Sequence, residues 1–146
     1  MPTHVKFSLL TLTLVLAFAP AQASAEGVEW LRSAEQAAEL AHKTGKPILI
    51  YVRSENCHYC DLMQKNVWQD PETVAIIMRE FVPLKLTRED NKEAVEAMKV
   101  KGFPSTLIFS AERTYVGRLD GYVTSEKFLD SISSVRTAAA QTALVR

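Results

Sequence analysis

Both cysteines of the chain, Cys57 and Cys60, stand in the stretch SENCHYCDLM, separated by His58 and Tyr59. A pair spaced this way could clip a metal, staple the fold, or act as a reactive dithiol. A closed zinc site needs four ligands, and beyond the first residues the chain adds only His42 and His58 to the two cysteines. Covalent haem attachment requires histidine directly after the second cysteine, where this chain has Asp61. A staple closing so short a loop removes little entropy from the unfolded chain. The dithiol reading asks for a particular setting: the first cysteine at a helix N-terminus, where free N–H groups and the helix dipole favour the thiolate, and the second one turn further in. Cys57 could then attack or be attacked, and Cys60 could resolve the mixed disulfide.

The flanking elements supply that setting. PILIYV, Pro47 to Val52, reads as a buried strand ending shortly before Cys57. From Cys57 to about Val67, Cys60, Met63 and Val67 recur at helical spacing. Upstream, SAEQAAELAHKTGK reads as a helix with Ser33 as N-cap, Gln36 three residues on, Ala37, Leu40 and Ala41 on one face, and Gly45 and Pro47 closing it. His42 falls on its polar side. Downstream, QDPETVAIIMREF restarts a helix with Asp70 as N-cap and Pro71 in first position. FVPLKL, Phe81 to Leu86, is a second strand whose Pro83 demands an edge or an irregularity. A short helix around Lys92 to Met98 ends at Gly102. Strands Ser105–Ser110 and Thr114–Leu119 form a hairpin across Ala111, Glu112 and Arg113, with Gly117 and Gly121 serving irregularity and turn. A last helix, about Ser125 to Thr137, carries Phe128, Leu129, Ile132 and Val135. Trp30 and Trp68 are packing anchors. Strands alternating with helices, followed by a hairpin and a closing helix, argue for an α/β fold: a central mixed sheet flanked by helices on both faces.

The first residues read differently. Lys6 precedes the apolar block Phe7 to Ala19, which runs into PAQASAEG, the pattern of a cleaved signal peptide. The block is 13 residues long, against about 20 for a bilayer span. Both Ala23 and Ala25 end a small-residue pattern that signal peptidase accepts; of the two we favour Ala25, so that residues 1–25 are a signal peptide and 26–146 one domain. Cutting there removes one lysine and no acid, leaving 121 residues with 16 bases against 17 acids. Interspersed charge near zero offers no stripe for nucleic acid and no block for an anionic membrane surface.

With KPILIYV, CHYC, DPE, FVPLKL, GFPSTLIF and GRLDGY in that order, the chain from about Glu29 to Val135 resembles the thioredoxin-like superfamily, in its exported (periplasmic) single-domain branch. The resemblance implies the thioredoxin fold, a thiol–disulfide exchange activity at Cys57 and Cys60 without metal or other cofactor, and a cis peptide bond between Phe103 and Pro104. It further implies that Phe103 pairs its backbone with an extended client segment, placing the client disulfide over Cys57. Partners would be proteins bearing disulfides or thiols, together with a membrane-embedded redox partner, and the protein would be a monomer.

The sequence also departs from that family. Tyr51 stands where thioredoxins carry a buried aspartate six residues before the first cysteine, and Asn56 where they carry tryptophan. Glu55 and Asp61, the nearest acids, are candidates to replace the missing proton relay through water. His58, as imidazolium, would stabilise the Cys57 thiolate and make the disulfide more oxidising. Tyr59 resembles the Tyr-Cys ending of glutaredoxins and of the bacterial periplasmic disulfide isomerase. The apolar residue before Pro104 favours a reductase. The competing reading is a module without turnover, holding a client or a metal ion through Cys57, Cys60 and His58.

Overall fold

The computed structural model describes Met1 and residues 27–144, with side chains as far as Arg136. The expected leader beyond Met1, its cleavage after Ala25 and the domain boundary there lie outside the described residues.

Four strands form one mixed sheet in the order β2-β1-β3-β4. β1 (Ile48–Arg53) runs parallel to β2 (Val82–Thr87) and antiparallel to β3 (Ser105–Phe109), which pairs antiparallel with β4 (Tyr115–Asp120). The helices are α1 (Ala34–Thr44), α2 (His58–Asn66), α3 (Pro71–Glu80), α4 (Lys92–Ala97) and α5 (Ser125–Leu144). This is the expected α/β architecture.

The period of two along β1 sorts its side chains between two cores. Ile48, Ile50 and Val52 pack with Ala37 and Ala41 of α1, Val95 of α4 and Val82, Leu84 and Leu86 of β2. Leu49 and Tyr51 face the other way, onto Met63 of α2, Val74 and Ile77 of α3, and Phe128 and Ile132 of α5. A strand buried on both faces needs apolar residues at every position, which is why PILIYV lacks polar alternation.

Pro83 sits in edge strand β2, and its carbonyl points away from β1 to accept from the Leu31 N–H at 2.9 Å. The missing proline N–H faces the same outer side, so no bond to β1 is lost. Leu31 itself makes a parallel bridge to Leu84, an extra contact that the sequence did not announce.

The caps follow their residue types. Ser33 Oγ accepts from the Gln36 N–H at 3.2 Å, Asp70 Oδ1 accepts from the Thr73 N–H at 2.8 Å, and Gly45 closes α1 at φ 70°. Three expectations need correction. Leu40 is 41% exposed and does not join Ala37 and Ala41 in the core. The hairpin connection is longer, because Ser110 and Thr114 leave the strands to close a turn in which Arg113 adopts φ 64°. Finally, α5 runs beyond Thr137 to Leu144, since the run AAAQTAL contains no glycine or proline to stop it.

Arg136 fastens α5 to the end of α3 through two bonds to the Glu80 carboxylate, at 2.5 and 3.1 Å. The Arg136 hydrogen bond holds the Glu80 carboxyl below its usual range, with a smaller contribution from Arg79. A depressed carboxylate pKa adds stability above the unfolded-state value and loses it as pH falls through the folded one. Glu80→Gln should therefore lower stability near neutral pH by about 1 kcal/mol and flatten the loss of stability between about pH 5 and pH 3, as read from urea midpoints across pH. Asp70→Ala should cost about 1 kcal/mol, seen as a lower midpoint with an unchanged denaturant slope.

Candidate functional site

β1 ends at Arg53, and the chain turns through Asn56, which adopts φ 51°, a left-handed conformation that asparagine tolerates better than most residues. The turn delivers Cys57 as the N-cap of α2, in extended backbone geometry. Its sulfur accepts from the Cys60 N–H at 3.2 Å, while its carbonyl receives the N–H groups of Cys60 and Asp61 at 3.0 and 3.1 Å. Cys57 and Cys60 form a disulfide. Cys57 is partly exposed, whereas Cys60 is fully buried. One cysteine therefore reaches the surface and the other is sheltered. Negative charge developing on the Cys57 sulfur finds an N–H donor and the positive end of the helix already in place.

Beneath Cys60 lies Tyr51, with no exposed surface. Its hydroxyl donates to the Cys60 carbonyl at 3.2 Å, and its ring sits 5.5 Å from Trp30 and 5.1 Å from Trp68. Burial pushes the Tyr51 phenol up to about 12. It is thus a donor throughout the physiological range and cannot serve as the base that a buried carboxylate would provide. Tyr51 lies in register with Lys85 on β2 and Thr106 on β3. Lys85 Nζ donates to Gln64 Oε1 of α2 at 3.3 Å and stands 5.9 Å from the Tyr51 ring centre. Burial lowers its pKa, helped by the charges of Arg32 and Arg53.

The remaining sequence candidates surround this pair. His58 is exposed in the first turn of α2, and its ring lies 5.6 Å from that of Tyr59. Tyr59 is also exposed and lies 6.4 Å from Tyr122. Asp61 is held at the surface by Arg53 at 3.1 Å. Glu55 is exposed in the loop, and its N–H donates to Glu89 Oε2 at 3.2 Å.

Register places the segment before β3 at this same end of the sheet, because Ser105 pairs with Val52, the residue next to the end of β1. The Phe103–Pro104 bond is cis. The segment is fastened by the Gly121 N–H donating to the Pro104 carbonyl at 2.8 Å and by the single Ser105 O–H, shared between Gly102 O and Asp120 Oδ1 at 2.8 and 2.9 Å. Among the described residues, neither the N–H nor the C=O of Phe103 has a hydrogen-bond partner.

Sequence reasoning noticed Tyr51 only as a departure, and it missed Lys85, Arg88 and Tyr122 at the site. The lysine in FVPLKL had a readable signal, since it interrupts the apolar run at a position that alternation places on the same face as Pro83. Nothing local marks the other two. Replacing Tyr51 with phenylalanine should remove the bond to the Cys60 carbonyl and lower the stability of the oxidised protein by about 1 kcal/mol, measured by urea unfolding. An unchanged midpoint would mean that ring packing alone holds that turn.

The model of the thioredoxin-like domain matches residues 34–136. Among solved structures, a DsbH oxidoreductase superposes with a TM-score of 0.69 at 19% identity, covering 90% of this chain and 95% of that one. A thioredoxin from Thermus thermophilus gives 0.67 at 25% identity, over 75% of this chain and 87% of that one. A putative disulphide-isomerase from Bacteroides thetaiotaomicron gives 0.67 at 24%, over 75% and 93%. Of curated proteins, spermatogenesis-associated protein 20 from Homo sapiens is 30% identical over 66 residues, which is 45% of this chain and 8% of that protein. The chain thus spans less than a tenth of the curated relatives it matches. By its fold and by the match over most of its length, the chain belongs to the thioredoxin-like domain family.

Proposed function

We propose that the protein is an exported thiol–disulfide oxidoreductase that works as a reductase of client proteins in the periplasm. The observation that carries this reading is the asymmetry of the disulfide: a partly exposed Cys57 whose sulfur caps α2, and a fully buried Cys60 one turn behind it. In the reduced protein the Cys57 thiolate attacks one sulfur of a client disulfide. The client S–S bond breaks, a Cys57–client disulfide forms, and one client thiolate leaves. Cys60, deprotonated, then attacks the Cys57 sulfur, restores the intramolecular disulfide and releases the second client thiolate. Two electrons pass to the client, and the thiol proton of Cys60 passes to solvent. A membrane-embedded partner dithiol must return two electrons to the pair. The free N–H and C=O of Phe103 support a client held as an added strand. Export rests on the signal-like residues 1–25, and the direction of electron flow on the apolar residue before Pro104.

The proton of Cys60 leaves, in this reading, through water to Asp61 or Glu55, the acids nearest the pair in sequence. Alkylation of Cys60 followed across pH should shift in Asp61→Asn or Glu55→Gln, and coincident profiles in all three proteins would discard the relay.

Insulin reduction coupled to dithiothreitol tests the activity. Cys57→Ser should abolish the rate above background, and Cys60→Ser should accumulate mixed disulfides, seen as a mass increase. No rate above background, together with stoichiometric retention of zinc or copper, would instead favour a module that holds its ligand through Cys57, Cys60 and His58.

A further inference from the structure

Next to Phe103, α4, the turn leading into it and the segment before Pro104 line an open depression of about 620 Å³. Its floor is apolar, formed by Val95, Val100 and Phe103, and its rim carries Arg88, Lys92 and Lys101. The Arg88 guanidinium lies 5.6 Å from the centre of the Phe103 ring. Two carboxylates share the lining, Glu89 and Glu96. Glu89 is already committed, since it pairs with Arg88 at 3.0 Å and accepts the Glu55 N–H at 3.2 Å. Lys92 and Lys101 have no ion-pair partner among the described residues. Lys101 also borders an adjoining hollow of about 470 Å³ with Lys99, Arg118 and Asp120. There Arg118 and Asp120 pair at 2.7 Å, and the Lys99 ammonium has no ion-pair partner among the described residues. Lys92, Lys99 and Lys101, none of them ion-paired among the described residues, thus stand with Glu96 around two adjoining hollows next to Phe103, in a chain whose formal net charge is zero.

We infer that this depression selects the client: it receives a large apolar side chain close to the client cysteine, and its lysine rim holds acidic residues next to that side chain. The inference rests on the oxidoreductase reading and adds the substrate class to it. A client strand paired with the free backbone of Phe103 passes over a residue whose ring is part of the floor, so a neighbouring client residue arrives at the depression within one or two positions. Side chains two apart on a strand share a face, which lets an apolar residue enter while acids beside it meet the rim. Lysine stems can line an apolar floor while their ammonium groups stay at the water boundary. Charges so placed chiefly accelerate encounter and reject like-charged partners, and salt screens both effects.

The test uses the reduced protein and three synthetic peptides, each with one cysteine in mixed disulfide with a coloured aryl thiol. The peptides flank the cysteine with leucine and glutamates, leucine and serines, or leucine and lysines. Attack by Cys57 on the peptide sulfur forms the protein–peptide disulfide and releases the aryl thiolate, read by absorbance. At low salt the glutamate peptide should react about fivefold to tenfold faster than the lysine peptide, with the difference shrinking in molar salt. In Lys92→Glu/Lys101→Glu the order should reverse or vanish. Lys127→Glu, on the opposite face of the sheet, should keep the wild-type order, and circular dichroism checks that all variants are folded. Replacing leucine by glycine in the glutamate peptide should slow it severalfold, through loss of the apolar contact. Equal rates for the three peptides, or a double variant that behaves like Lys127→Glu, would overturn the inference. So would indifference to the leucine, which would assign the preference to long-range charge alone. A reduced protein that releases aryl thiolate from no peptide, while dithiothreitol does, would instead remove the oxidoreductase reading beneath it.

Discussion

A helix that begins directly after a buried strand presents N–H groups that need acceptors. In this protein the acceptors at the start of α2 are the sulfur and carbonyl of Cys57. That one arrangement makes the cysteine a structural cap and sets its sulfur at the positive end of the helix. It also sets the contrast between the two sulfurs, since a residue three positions on points back under the first turn and is buried by the sheet. The chemistry is therefore a consequence of where the strand ends and how the turn through Asn56 delivers the chain.

The sheet beneath must tolerate this. β1 is buried on both faces, and the row running from Lys85 through Tyr51 to Thr106 forms the floor under α2. A tyrosine in that row fills volume with an aromatic cluster that includes Trp30, Trp68 and, through Trp68, Phe128, and it spends its hydroxyl on the Cys60 carbonyl. A buried carboxylate would offer a proton acceptor, but at the cost of placing charge in an apolar layer. Here the layer stays neutral apart from the half-buried Lys85.

Around the disulfide the surface is not uniform. The exposed ring of Tyr59 approaches the half-buried ring of Tyr122, and a cationic rim lies beyond Phe103. The ties from Arg88 to Arg53, from Glu89 to Glu55 and from Gly121 to Pro104 join these walls to the redox loop. Residues distant in the chain thus share one rim beside the redox loop.

Much of this is legible in the sequence. The cysteine spacing, the strand before it, the caps at Ser33 and Asp70 and the apolar run of β1 are local signals, and each is written in a few adjacent residues because hydrogen-bonding and burial periodicities are local. The ends of α5 and of the hairpin were less legible, since propensity and turn closure there compete without a strong breaker. What only the tertiary structure decided is what comes together across the sheet: Tyr51 under Cys60, Lys85 beside Tyr51, Arg88 over Phe103, and the free backbone of Phe103 at the end of β1. Those neighbours depend on strand register and on which helix covers which face. Register is a property of paired strands, and no single stretch of sequence carries it.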